Sequence, residues 1–210
     1  MKKKSLLISF FASLLVIIGM FAVSDVTAQA AKLSEDNPIQ LNKKKKTITM
    51  LTTVNGTYFT QGTRHVIVNV DGTNGNKSLL KTNVQPKEVY KDLKKLDAKP
   101  GDNVTKQSKP GTKVKGTKVK VYFVINGKKI RAEKAVQVNG KDVKDLKFRF
   151  GGNMAMNNKM KTGCVLCFDS CAVGTVSGSK FGTEYGEHFT GKSSVLPKDG
   201  KQVKVIMQVK

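Results

Sequence analysis

Three cysteines stand within eight positions of one another, in the run Gly163-Cys164-Val165-Leu166-Cys167-Phe168-Asp169-Ser170-Cys171, and the chain has no others. A C-x2-C-x3-C spacing confines three sulfur atoms to one neighbourhood, so the fold has to bring this segment to a single point. A convergent set of soft donors suits an iron–sulfur cluster, zinc or copper(I). The competing reading is a disulfide with one thiol left over, or a C-x-x-C redox pair. Haem attachment is excluded, because Phe168 rather than histidine follows Cys167. Zinc held by three thiolates needs a fourth ligand, and His65 and His188 are the chain's two imidazoles. A four-iron cluster on three cysteines leaves one iron without a thiolate, which makes His65, Asp169 and His188 additional candidates beside Cys164, Cys167 and Cys171.

The N-terminus points outside the cytoplasm. Lys2, Lys3 and Lys4 precede an apolar run from Leu6 to Val23, and Ala28-Gln29-Ala30 supplies a small-residue cleavage pattern. Residues 1–30 are expected to be a signal peptide, placing the protein in a secreted, cell-surface or otherwise extracytoplasmic location. Left uncleaved, the same run would act as an N-terminal membrane anchor. No twin-arginine pair precedes it, so the general secretory route is expected.

Charge sets the expected partners. The chain carries 38 Lys plus Arg against 15 Asp plus Glu, a net of +23, and will associate with polyanions. Its arginines are Arg64, Arg131 and Arg149 alone, so most of the field comes from lysine point charges. An anionic wall polymer or a membrane surface is therefore the expected partner, together with a redox partner if the cysteines hold iron. With no Trp and no aromatic residues interleaved in the basic runs, specific nucleic-acid binding is not expected.

Residues 31–46 read as a lysine-rich linker ending in Lys43–Lys46, ahead of a domain over 47–210. Ile48, Met50, Thr52 and Val54 alternate as a strand before Asn55-Gly56, and His65 to Val70 gives a second. Pro86 followed by Val89, Leu93 and Leu96 predicts a helix over about 86–97, stopped by Pro100-Gly101. Gly111-Thr-Lys-Val-Lys115 repeats at once as Gly116 to Lys120. Val119, Val121, Phe123 and Ile125 then turn at Asn126-Gly127, the strongest hairpin signal in the chain. Further strands are expected at 146–150 and across Val203 to Val209, and the Gly-rich stretch 174–186 reads as turns and flexible loop. The pattern predicts an α+β fold, a mainly antiparallel sheet with one covering helix, or alternatively an all-β sandwich.

Several short blocks carry a resemblance: Thr63-Arg64-His65, Gly72 to Ser78, Ala98 to Asn103, Phe150-Gly151-Gly152-Asn153, the cysteine segment, and Leu196 to Gly200. In order and spacing they resemble the YdjY-domain proteins, described as a ferredoxin-like or 4Fe-4S family, over about residues 40–210. The chain differs from that pattern at Ala172, where the family has proline, and at Val66, where it has glycine. The resemblance implies an extracytoplasmic iron–sulfur electron-transfer protein with Cys164, Cys167 and Cys171 as cluster ligands. The alternative is a cationic cell-surface binding module without cofactor, in which a disulfide staples a loop. No Ser-His-Asp order, carboxylate pair or phosphate loop stands out, so an electron carrier or binding protein is expected rather than a catalyst.

Overall fold

The computed structural model describes residues 33–210; the expected signal peptide over 1–30 lies outside the described residues. Strand β1 (Ile39–Asn42) and strand β2 (Thr47–Val54) form an antiparallel hairpin in which Leu41 faces Ile48. The segment expected as linker is thus partly structured, with the Lys43–Lys46 block forming the turn and Lys46 taking positive φ. Its apolar residues, Ile39 and Leu41, pack against the core, which a charge-dominated reading of that stretch overlooks.

After β2 come β3 (His65–Asn69) and β4 (Ser78–Thr82), then helix α1 (Pro86–Lys95). A capping box holds the N-terminus of α1: the Gln85 backbone N–H donates to Glu88 Oε2 at 2.9 Å. Val89 and Leu93 are fully buried, and the Tyr90 ring meets Phe150 edge-on at 5.2 Å. Strands β5 (Val119–Ile125) and β6 (Lys128–Arg131) form the predicted hairpin, and β7 (Val136–Val138), β8 (Lys141–Asp142) and β9 (Phe148–Phe150) follow. Helix α2 (Met154–Met160) leads into β10 (Cys164–Cys167), then β11 (Val176–Gly178), β12 (Phe189–Gly191) and β13 (Gln202–Val209).

These strands make a ten-stranded mixed sheet in the order β6-β5-β13-β2-β4-β3-β10-β11-β9 with β1 on β2, and a small sheet β12-β7-β8. The sheet curls far enough that β9, at one end, bridges back through Arg149 to Lys118 just ahead of β5. Ile48, Met50, Val121, Phe123, Val205 and Met207 fill the interior from its central strands.

The expected fold needs correction. The protein is mostly β, and its large sheet is mixed: most strand pairs are antiparallel, but β3 and β4 run parallel, as do β10 and β11, and a second helix joins the one expected. The cause lies in two short glycine-bearing connections that the sequence pattern reads as hairpin turns or loop. Between β3 and β4, a Cβ on Gly75 would collide with the Val70 carbonyl oxygen, so only glycine lets that loop fold back so tightly. Between β10 and β11, a Cβ on Gly174 would crowd Ser177 Oγ at 2.5 Å and Cys167 Sγ at 3.0 Å.

Candidate metal centre

The cysteine segment is a strand buried along its whole length, and β3 is its antiparallel neighbour. Along a regular strand, residues three apart point to opposite faces. Here the register breaks between Cys164 and Leu166 and again between Leu166 and Cys167, and such bulges re-aim side chains. The register also sets Cys167 directly opposite His65 and Cys164 opposite Val68. His65 Nδ1 consequently lies 3.5 Å from Cys164 Sγ and 3.7 Å from Cys167 Sγ.

The donor atoms of His65, Cys164 and Cys167 all fall within 4.8 Å of one another. Bonds of about 2.3 Å to sulfur and 2.0–2.1 Å to nitrogen place neighbouring ligands of a tetrahedral ion roughly 3.6 Å apart. The observed spacing fits that geometry, so this group is able to bind a metal. Cys171 packs with Cys164 and Cys167 in one buried cluster but sits outside the tight triad. All three cysteines are free thiols. The site is dry: Cys164 and Cys167 are 0% exposed, Cys171 5% and His65 6%, with Val68, Val173 and Met156 packed around the sulfurs.

The other expected donors do not join. Asp169 gives both carboxylate oxygens to Arg64, whose Nη2 donates at 2.7 Å and Nε at 3.3 Å. His188 is exposed, edge-on to Tyr185 at 5.4 Å.

Supporting residues come from segments far apart in sequence. Asn74 Nδ2 approaches Cys164 Sγ at 3.5 Å. From α2, Asn157 Nδ2 donates to the carbonyls of Cys164 and Val173, and Asn153 Nδ2 to that of Cys171. Asn153 itself takes positive φ, and its backbone N–H donates to Asp102 Oδ1 at 2.8 Å. No spacing rule links these asparagines to the cysteines; Asn74 and Asn153 fall in the blocks that carry the resemblance, and Asn157 has no signal in the sequence.

The electrostatics favour a thiolate. A hydrogen bond from Cys167 holds Cys164 down to about 4 against burial, with His65 and Asn74 helping, while the same bond and that of Cys171, together with burial, push Cys167 well up. Burial pulls His65 down, yet the hydrogen bond and charge of Cys164 outweigh it and leave the imidazole raised. In metal-free protein the thiolate ultraviolet band of Cys164 is expected to persist at neutral pH and vanish as pH falls through about 4. Three thiols that are all protonated at pH 7 would refute this arrangement. The sign of the linkage follows: the unfolded chain binds the extra proton, so this group's contribution to stability is complete above the ordinary thiol range and is lost on acidification through about 4.

Residues 39–208 match the YdjY domain, nearly the whole of the described chain. The chain belongs to the YdjY-domain family. A YdjY relative from Escherichia coli (strain K12), described as uncharacterized protein YdjY, is 36% identical over 215 residues, covering 93% of this chain and 92% of the relative. No solved structure matches this chain significantly.

Proposed function

We propose that this YdjY domain holds iron outside the cytoplasm and works as an electron carrier, with Cys164, Cys167 and Cys171 as thiolate ligands and His65 as the fourth donor. The observation that carries the reading is the convergence of His65 with Cys164 and Cys167 in a dry pocket. In the iron–sulfur form that the resemblance implies, three thiolates leave one iron of four uncovered, and His65 Nδ1 is the donor that lies beside them. An iron centre, when bound, supplies a one-electron couple.

The chain's own residues prepare the rest. Burial excludes water from the sulfurs. Arg64, held by Asp169, sets a cation close enough to Cys167 and Cys171 to offset thiolate charge. The clamp from Asn153 and Asn157 fixes the backbone on both sides of the cysteine loop, which supports rigid donor positions between redox states. The extracytoplasmic location rests on the N-terminal signature of residues 1–30.

The test is anaerobic purification of the mature protein with iron and acid-labile sulfide analysis, visible absorbance and paramagnetic resonance. Brown protein with absorbance that bleaches on reduction is expected, and the sulfide-to-iron ratio distinguishes a cluster from a single iron. Colourless, iron-free protein after anaerobic reconstitution would end the proposal.

A further inference from the structure

A cleft of about 530 Å³, lined by none of the cysteines, opens where β9 bridges back toward β5. Its walls carry the cationic side chains of Lys118, Lys120, Arg131, Lys147, Arg149 and Lys210. Against these six, the lining has one acidic side chain, Asp145.

The fold gathers these charges by strand register. Alternation along β5 buries Val119, Val121 and Phe123, which turns Lys120 and Tyr122 to the opposite face. Pairing sets Arg131 across from Tyr122, and the Lys210 backbone N–H donates to the Lys118 carbonyl at 3.1 Å, bringing the chain after β13 alongside. The bridge between Lys118 and Arg149 adds the third wall. Two of the cations are held in place. Arg131 forks onto buried Glu133 at 2.8 and 3.1 Å, and Arg149 Nη1 donates to the Gly116 carbonyl at 3.2 Å.

Among the described residues, Lys118, Lys120, Lys147 and Lys210 have no carboxylate partner. Lys120 and Lys210 stand close together, and the hydrogen bond between them, with their like charge, pulls the Lys210 ammonium below its ordinary value. Cations crowded without counter-charge repel one another, and an anion seated among them converts that repulsion into attraction.

We propose that this cleft binds the phosphates of a linear polyanion that carries no bases. Phosphate suits the mixture, since the lysines act as point charges around an oxyanion, while Arg131, whose fork is taken by Glu133 and Asp145, and Arg149 add fixed positive charge to the walls. A chain-like ligand suits the shape: Lys120, Arg131 and Arg149 are half-buried, so a flat bilayer would meet only the exposed rim of Lys118, Lys147 and Lys210. Bases find no stacking platform, because Phe148 is buried and Tyr122 is covered by the Lys129 ammonium 3.9 Å from its ring centre.

The test uses the whole mature protein and short linear polyphosphate, followed by calorimetry across a salt series. The triple variant Lys120→Gln/Lys147→Gln/Lys210→Gln is expected to bind about tenfold or more weakly, with the salt slope reduced by roughly one per lysine lost. A control of equal charge, Lys87→Gln/Lys91→Gln/Lys94→Gln on the exposed side of α1, is expected to lose less than about twofold. Should the triple variant fail to fold, Lys147→Glu alone on the exposed rim reads the same loss. Equal losses from both triples would reduce the effect to diffuse charge, and no binding by the wild-type protein would overturn the site. Tighter, cleft-dependent binding to single-stranded oligonucleotide or to anionic phospholipid vesicles would overturn the assignment of the ligand. None of these readouts involves the cysteines, so the proposal stands or falls apart from the metal reading.

Discussion

Replacing Cys167 with serine is expected to strip the protein of bound metal, lowering affinity by upwards of about 100-fold, beyond the 10–100-fold typical of residues that merely support ligands. Cys167 is the pivot of the cluster. It packs with both other cysteines, lies 3.7 Å from His65 Nδ1 and is fully buried. Serine is nearly isosteric but offers a hard hydroxyl that stays protonated, whereas the bound ligand has to be an anion. Cys164→Ser and His65→Ala should match this loss, since these residues complete the triad of donors within 4.8 Å. Cys171→Ser should bind metal more weakly than wild type yet more tightly than Cys167→Ser, because Cys171 lies outside that triad. Metal analysis and visible spectra of anaerobically purified variants check the series. Full metal content in Cys167→Ser would remove the site.

How much of this was legible in the sequence differs between the site and the fold. The C-x2-C-x3-C spacing marks the cysteine segment by itself, and counting ligands makes His65 and His188 the two imidazole candidates. Choosing between them takes the pairing of β3 with β10, which joins residues 102 apart in the chain, from His65 to Cys167. That pairing is invisible in Cys164-Val-Leu-Cys167, because a strand buried on both faces has no alternation to read. Helix α2 is obscured for another reason. It has only seven residues behind Gly151-Gly152, and although Asn153 is a residue type that caps helices, it is left-handed here and makes no side-chain cap hydrogen bond, so one cap residue before so short a segment is too weak a signal to read. The amphipathic α1 and the β5–β6 hairpin, where local periodicity and turn chemistry coincide, could be read directly. The Gly-rich 174–186 stretch, expected as loop, contains β11 because close backbone approach there serves strand pairing rather than flexibility.

The ion pair beside the site gives the second large effect, on stability rather than metal. Asp169→Asn is expected to destabilise the protein by about 3 kcal/mol, near the lower end of the range for breaking a buried pair. For a chain of this size that lowers Tm by roughly 6–12 °C. The lower end applies because Arg64 keeps 28% of its side chain exposed while that of Asp169 is at 0%, so water can partly resolvate the guanidinium left behind. The reverse variant, Arg64→Gln, leaves the carboxylate with no such recourse. Burial already pushes the Asp169 carboxyl up, and Arg64 is the chief force opposing it. Without the guanidinium, the folded protein takes up a proton that the unfolded chain releases. Stability lost in Arg64→Gln should then return as pH falls from neutral toward the carboxylate range, opposite in sign to the acid loss expected from Cys164. Urea unfolding of the metal-free variants across that range separates the two. An Arg64→Gln variant whose deficit stays constant with pH would mean that Asp169 has found another partner and that the pair is not what holds this charge in the core.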